Sequence, residues 1–162
     1  MIPLFLGLTA VNLLCLILTA VLGYMTSSGA HVGQWHVLAG ALSAIACCAV
    51  HCIVFTYFIA TAKWAQHAVA VKGLDPQLVS PTRSFKAQAM PAALLAMASV
   101  FVAAMMGAYT DSYQTSPEIH HVAAIVAIAV NALVPIAEFS AIHRNGQLID
   151  GILAKIAQQT AQ

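Results

Sequence analysis

Seven histidines are spread unevenly along this 162-residue chain, and their grouping suggests where chemistry could occur. His31 and His36 open one long apolar segment, His120 and His121 open another, and His51 lies further into the first. Imidazole suits iron, copper and zinc, and paired histidines on facing helices are how a helical bundle grips an iron porphyrin. The first candidate site is therefore His36 with His120 or His121, holding haem b or a transition-metal ion. Consecutive residues lie about 100° apart on a helix, so only one of His120 and His121 points inward. His121, one residue deeper, is the expected partner. Histidines at helix ends could also do no more than hydrate those ends.

A second group lies deeper. By helical rise, His51 is about 22 Å beyond His36, and Glu138 about 25 Å beyond His121. His51 and Glu138 thus share a depth, with Asn131 two turns above Glu138 on nearly the same face. Ionisable groups within a membrane span are costly, face the interior and mark candidate sites. A buried acid and imidazole can exchange protons, so His51, Glu138 and Asn131 form a candidate proton or quinone site. The plainer alternative is an interhelical hydrogen bond between His51 and Glu138.

The run CCAVHC places Cys47 and Cys48 one turn before His51. Thiolates with imidazole suit Cu(I) or Zn. All four cysteines lie in apolar segments, where free Cys packs as a small hydrophobe, so no disulfide framework is expected. His143 lies too far along its segment to pair with His51, which argues against a symmetric two-haem arrangement.

These residues sit on elements of one kind. The chain is 61% hydrophobic and 7% charged, whereas a soluble domain is about half apolar and about a quarter charged. The excess apolar surface must face lipid. Four segments, about 3–25, 34–62, 87–109 and 119–142, are long enough to cross the hydrocarbon core and lack Lys and Arg. The fold class is all-α: a four-helix transmembrane bundle with a short C-terminal amphipathic helix. The chain's start lacks the basic residues and short apolar run of a signal peptide, so the first segment is expected to be a retained span. Ser80-Pro81 and Ser116-Pro117-Glu118 have the composition of helix starts. Pro91 and Pro135 each remove a backbone donor within a span and are expected to kink it.

Lys63, Lys72, Arg83, Lys86, Arg144 and Lys155 all fall in the second connection, 63–86, or after the fourth span. Basic short loops stay cytoplasmic, so both termini are expected inside (N-in/C-in). Gly73, Pro76 and Pro81 predict a broken loop over 63–86. Asn145-Gly146 predicts a turn, followed by an amphipathic tail over 146–162 that carries Leu148, Ile149, Ile152, Leu153 and Ile156. No internal repeat, low-complexity tract or soluble domain is evident. A net charge of +1 gives no reason to expect nucleic acid.

The stretch HVLAGALSAIACCAVHCIVFTYFIATAKW and the later HRNGQLIDGIL resemble an uncharacterised family of small four-span bacterial inner-membrane proteins. The resemblance implies the architecture and a bacterial inner-membrane location, and brings no activity, cofactor or site. Three functions remain open. One is a redox subunit that binds haem or metal and exchanges electrons with quinone, alone, as a homo-oligomer or in a larger redox complex. Another is a metal-ion binding or transport protein. The third is a structural or assembly subunit without chemistry. All three have the lipid bilayer as a partner.

Overall fold

The computed structural model describes residues 1–161 and is helical, with no strand among them. Helix α1 spans Ile2–Ser27, α2 Gly33–Val71, α3 Pro81–Tyr113 and α4 Glu118–Thr160, with a short 3-10 turn at Pro76–Val79. All four are long and apolar enough to cross a membrane. The chain is a multi-pass membrane protein, and large apolar side chains such as Val37, Ile45, Phe101 and Ile136 lie on its outside. Alternating helix directions put the α1–α2 and α3–α4 connections at one end, the hairpin face. Both termini and the α2–α3 connection lie at the other, the terminal face.

Helix ends are set by residues that tolerate left-handed backbone. Gly29 and Gly73 have φ of 92° and 60°. Each closes its helix through paired backbone bonds: Gly29 N–H to Thr26 and Ala30 N–H to Met25, then Gly73 N–H to Ala70 and Leu74 N–H to Val69. Both are Schellman closures, in which glycine avoids the Cβ penalty of positive φ.

Two boundaries differ from the sequence-based expectation. In the connection over 63–86 the difference is that α2 continues to Val71; the break around Gly73 and Pro76 and the helix start at Ser80-Pro81 lie where the sequence puts them. Nor is there a turn at Asn145-Gly146: α4 is one helix of 43 residues. Asn145 is buried, and its amide donates to Thr61 Oγ1 on α2 at 3.0 Å. The side chain is thus engaged across the bundle and not by a local turn. Of the tail's apolar residues, Ile152 is buried against Ala65 and Val69 with Leu148 and Ile156 beside it, whereas Leu153 is exposed. With 39 residues, α2 is about 58 Å long, well beyond a hydrocarbon core of about 30 Å. The bundle therefore projects past the membrane. Pro91 and Pro135 leave α3 and α4 continuous.

A further difference is an internal duplication. His36 rests on Gly23, with its Cε1 2.9 Å from where a Cβ would be; His120 rests on Gly107 with the same 2.9 Å approach. His36 Nδ1 meets Thr19 O at 2.9 Å, and His120 Nδ1 meets Ala103 O at 3.0 Å. Thr26 and Thr110 each donate to the carbonyl one turn back, Leu22 and Met106. Every pair is offset by the same 84 positions that separate Cys47 from Asn131 and Thr61 from Asn145. Hairpin α1–α2 thus repeats as α3–α4. Equivalent residues touch each other at three levels of α2 and α4: His36 with His120, Cys47 with Asn131, and Thr61 with Asn145. Self-contact of equivalents at successive depths places a pseudo-two-fold axis between α2 and α4, parallel to the helices. Buried positions obey the same relation: Phe5, Thr9, Asn12 and Leu16 of α1 correspond to Ala89, Ala93, Ala96 and Val100 of α3.

Candidate functional site

At the hairpin face, His36 of α2 and His120 of α4 meet across the pseudo-two-fold axis. Their ring centroids are 5.8 Å apart and the planes are inclined by 68°. The local cause is glycine. Gly23 and Gly107 have no Cβ, so each imidazole lies directly on the neighbouring helix and reaches the carbonyl one turn earlier. A carbonyl oxygen only accepts, so Nδ1 donates in both rings. In the neutral ring the remaining nitrogen, Nε2, carries a lone pair, and neither Nε2 is hydrogen-bonded among the described residues. An Nδ1–H donated to backbone is the usual outer-sphere restraint on an imidazole that ligates through Nε2.

The distance can be tested against metal chemistry. Two imidazoles in line on one metal, with metal–nitrogen bonds of 2.0–2.1 Å and about 1.1 Å from nitrogen to ring centre, have centroids roughly 6.3 Å apart. The observed 5.8 Å suits a single bent-coordinated ion as it stands. For opposed ligands it requires a separation of about half an ångström more. Among the described residues no group of three or more His, Cys, Asp or Glu is gathered for a metal. The pair thus supplies two imidazole donors, and no further protein donor is gathered beside them among the described residues.

His121 is not the inward residue. It stacks on Tyr24 at 4.8 Å, and its Nε2 lies 3.3 Å from Ser27 Oγ. Depth favoured His121, but rotation about α4 decides: the register that lays His120 on Gly107 turns His121 onto α1. His31 is exposed in the α1–α2 connection.

The inner group assembles as expected. His51 Nδ1 and Glu138 Oε1 are 2.8 Å apart, with side chains 2% and 0% exposed. Asn131 lies above them at 1% exposure. Its Oδ1 accepts from Asn12 Nδ2 at 3.2 Å and from the Cys47 thiol at 3.3 Å. Its Nδ2 donates to the carbonyls of Ala127 and Ala96 and to Ser99 Oγ. His51, Glu138 and Asn131 are all enclosed within the bundle. The CCAVHC run does not gather either: Cys47 is buried, whereas Cys48 and Cys52 are exposed on the lipid side. His143 is also outward, stacked on Phe139 and bonded to Gln147.

Sequence reasoning missed Thr9, Asn12, Ser43 and Thr19, which line the interior beside these groups. Their signal was polarity within otherwise apolar spans. Gly23, which seats His36, belongs with them. No protein-family profile, curated protein or solved structure matches the chain.

Proposed function

We propose that this protein is a membrane-embedded redox subunit that holds one haem b between His36 and His120. The observation that carries the reading is the pair of imidazoles on the pseudo-two-fold axis, each oriented by a backbone carbonyl and leaving Nε2 free. A symmetric ligand pair matches a symmetric centre whose remaining donors are its own. Bound there, the haem supplies one-electron chemistry. The chain's own residues orient the ligands, through Thr19 O and Ala103 O, and exclude bulk from the inner group. His51 and Glu138 serve as a proton-exchanging pair beneath it.

The same reading includes the orientation and location. All six Lys and Arg residues lie toward the terminal face, which by the positive-inside rule is cytoplasmic, as are both termini. A bacterial inner membrane and kinship with small four-span proteins of that membrane belong to this reading. Any quinone or partner subunit would then engage the outside of the bundle.

The test is the absorption spectrum of the full chain purified in mild detergent, oxidised and then reduced with dithionite. The expected result is a low-spin b-haem difference spectrum that is lost in His36→Ala and His120→Ala and kept in His121→Ala. A colourless protein that contains bound zinc or copper would support the metal-ion alternative. A colourless, metal-free protein would leave a structural subunit as the better account.

A further inference from the structure

The two sites are joined by a column of polar groups. From the hairpin face, His36 donates to the Thr19 carbonyl, and the Thr19 hydroxyl meets Ser43 Oγ at 2.9 Å. Next come Cys47, Asn131 and Asn12, bonded to one another, with Ser99 on the far side of Asn131. Below them lies His51–Glu138. Along α2 the steps from His36 to Ser43, Cys47 and His51 are about 10, 6 and 6 Å.

Three buried atoms in this column have no partner: Thr9 Oγ1, Asn12 Oδ1 and Glu138 Oε2. Their depths agree. On α1, Asn12 bonds Asn131 while Phe5 packs with Ala141 and Ile142. Helix α1 runs antiparallel to α4, so Thr9 lies between those levels, at the depth of Val134 to Glu138. Buried polar atoms left unsatisfied are costly, and in a polar interior they are satisfied by water.

Beneath the pair the character changes. Phe5, Val54, Phe58, Phe85, Ala89, Ala141 and Ile142 form an apolar layer. At the edge of this layer Gln88 Nε2 donates to the Ala137 carbonyl at 3.2 Å, and the next polar contact between α2 and α4, Thr61 with Asn145, is about 15 Å beyond His51 along α2. Below His36, the ionisable side chains of the column are Cys47, His51 and Glu138.

We infer that the bundle interior is a hydrated half-path: water at Thr9, Asn12 and Glu138 carries protons between the hairpin face and His51–Glu138, and the Phe58 layer closes the way to the terminal face. Only O–H and N–H bonds exchange. A proton leaves the pair for the adjoining water, and another returns from the hairpin side. The inference rests on the pair being proton-exchanging and needs no cofactor.

Two measurements on the full chain test it. In liposomes that enclose a pH-sensitive dye, wild type should pass no more protons than protein-free vesicles. Phe58→Asn, which opens the apolar layer, should raise the flux at least tenfold, and adding Glu138→Gln should abolish the rise. A conducting wild type, a folded Phe58→Asn that does not conduct, or a leak indifferent to Glu138→Gln overturns the half-path. In the second, the exchange of His51 Nδ1–H with water is followed by NMR. Thr9→Val with Asn12→Leu should slow it at least tenfold, and an unchanged rate overturns the path. A wild-type His51 proton that never exchanges would instead refute the underlying reading of the pair.

Discussion

Gly23→Ala separates the stability of the bundle from the geometry of its outer site. A Cβ at Gly23 would lie 2.9 Å from His36 Cε1 and 3.2 Å from its Nδ1, so the ring must withdraw. Withdrawal stretches or breaks its 2.9 Å bond to Thr19 O. A hydrogen bond contributes about 0.5–1.5 kcal/mol net. Replacing Gly by Ala inside a helix returns roughly 0.5–1 kcal/mol. The two nearly cancel, so the unfolding free energy should stay within about 1 kcal/mol of wild type. Ligand orientation has no such compensation. The His36 Nδ1–H resonance should lose its hydrogen-bonded shift, and haem affinity should fall at least tenfold. Gly107→Ala should behave alike, since His120 approaches it to 2.9 Å as well. Gly7→Ala, with nothing within 4 Å, is the control and should leave both readouts unchanged. Thermal unfolding, NMR of labelled histidine and haem titration read the three quantities. If Gly23→Ala keeps the His36 resonance and wild-type affinity, the seating of the imidazole on glycine does not govern the site.

Other consequences are as direct. Glu138→Leu alone strips the partner from a buried imidazole and should destabilise by about 3–5 kcal/mol; His51→Leu with Glu138→Leu should recover part of that loss, and a single variant as stable as wild type in denaturant unfolding would count against an internal pair. Asn145→Ala should cost about 1 kcal/mol, with a coupling to Thr61→Ala of comparable size in a double-mutant cycle. A reporter active only outside the cytoplasm, fused to the C-terminus, should remain inactive; activity would reverse the orientation.

The spans were legible because apolar runs lacking Lys and Arg leave few alternatives. Their extensions were not. Residues 63–71 extend α2, and 145–160, expected as a separate short helix, continue α4, because the two helices pack on each other through Ala65, Val69 and Ile152. Asn145-Gly146 has turn composition, and only the Thr61 hydroxyl across the bundle shows why it stays helical. Depth could be counted along a helix, which brought His51 to Glu138. Rotation could not, which put His121 in the place of His120. The repeat would have supplied it, since His36 and His120 follow Gly23 and Gly107 at the same spacing. It stayed hidden because few identities survive, and because axis positions have diverged in chemistry: Cys47 against Asn131, Val54 against Glu138. The outer site kept its symmetry while the inner one lost it.

Haemin titration of the cofactor-free chain in detergent tests the central claim most directly. The account predicts saturation at one haem per chain for wild type and His121→Ala, with bis-imidazole low-spin spectra. It predicts no low-spin species for His36→Ala or His120→Ala. A wild type that never saturates, or low-spin binding that survives loss of His36 and His120 together, would contradict it.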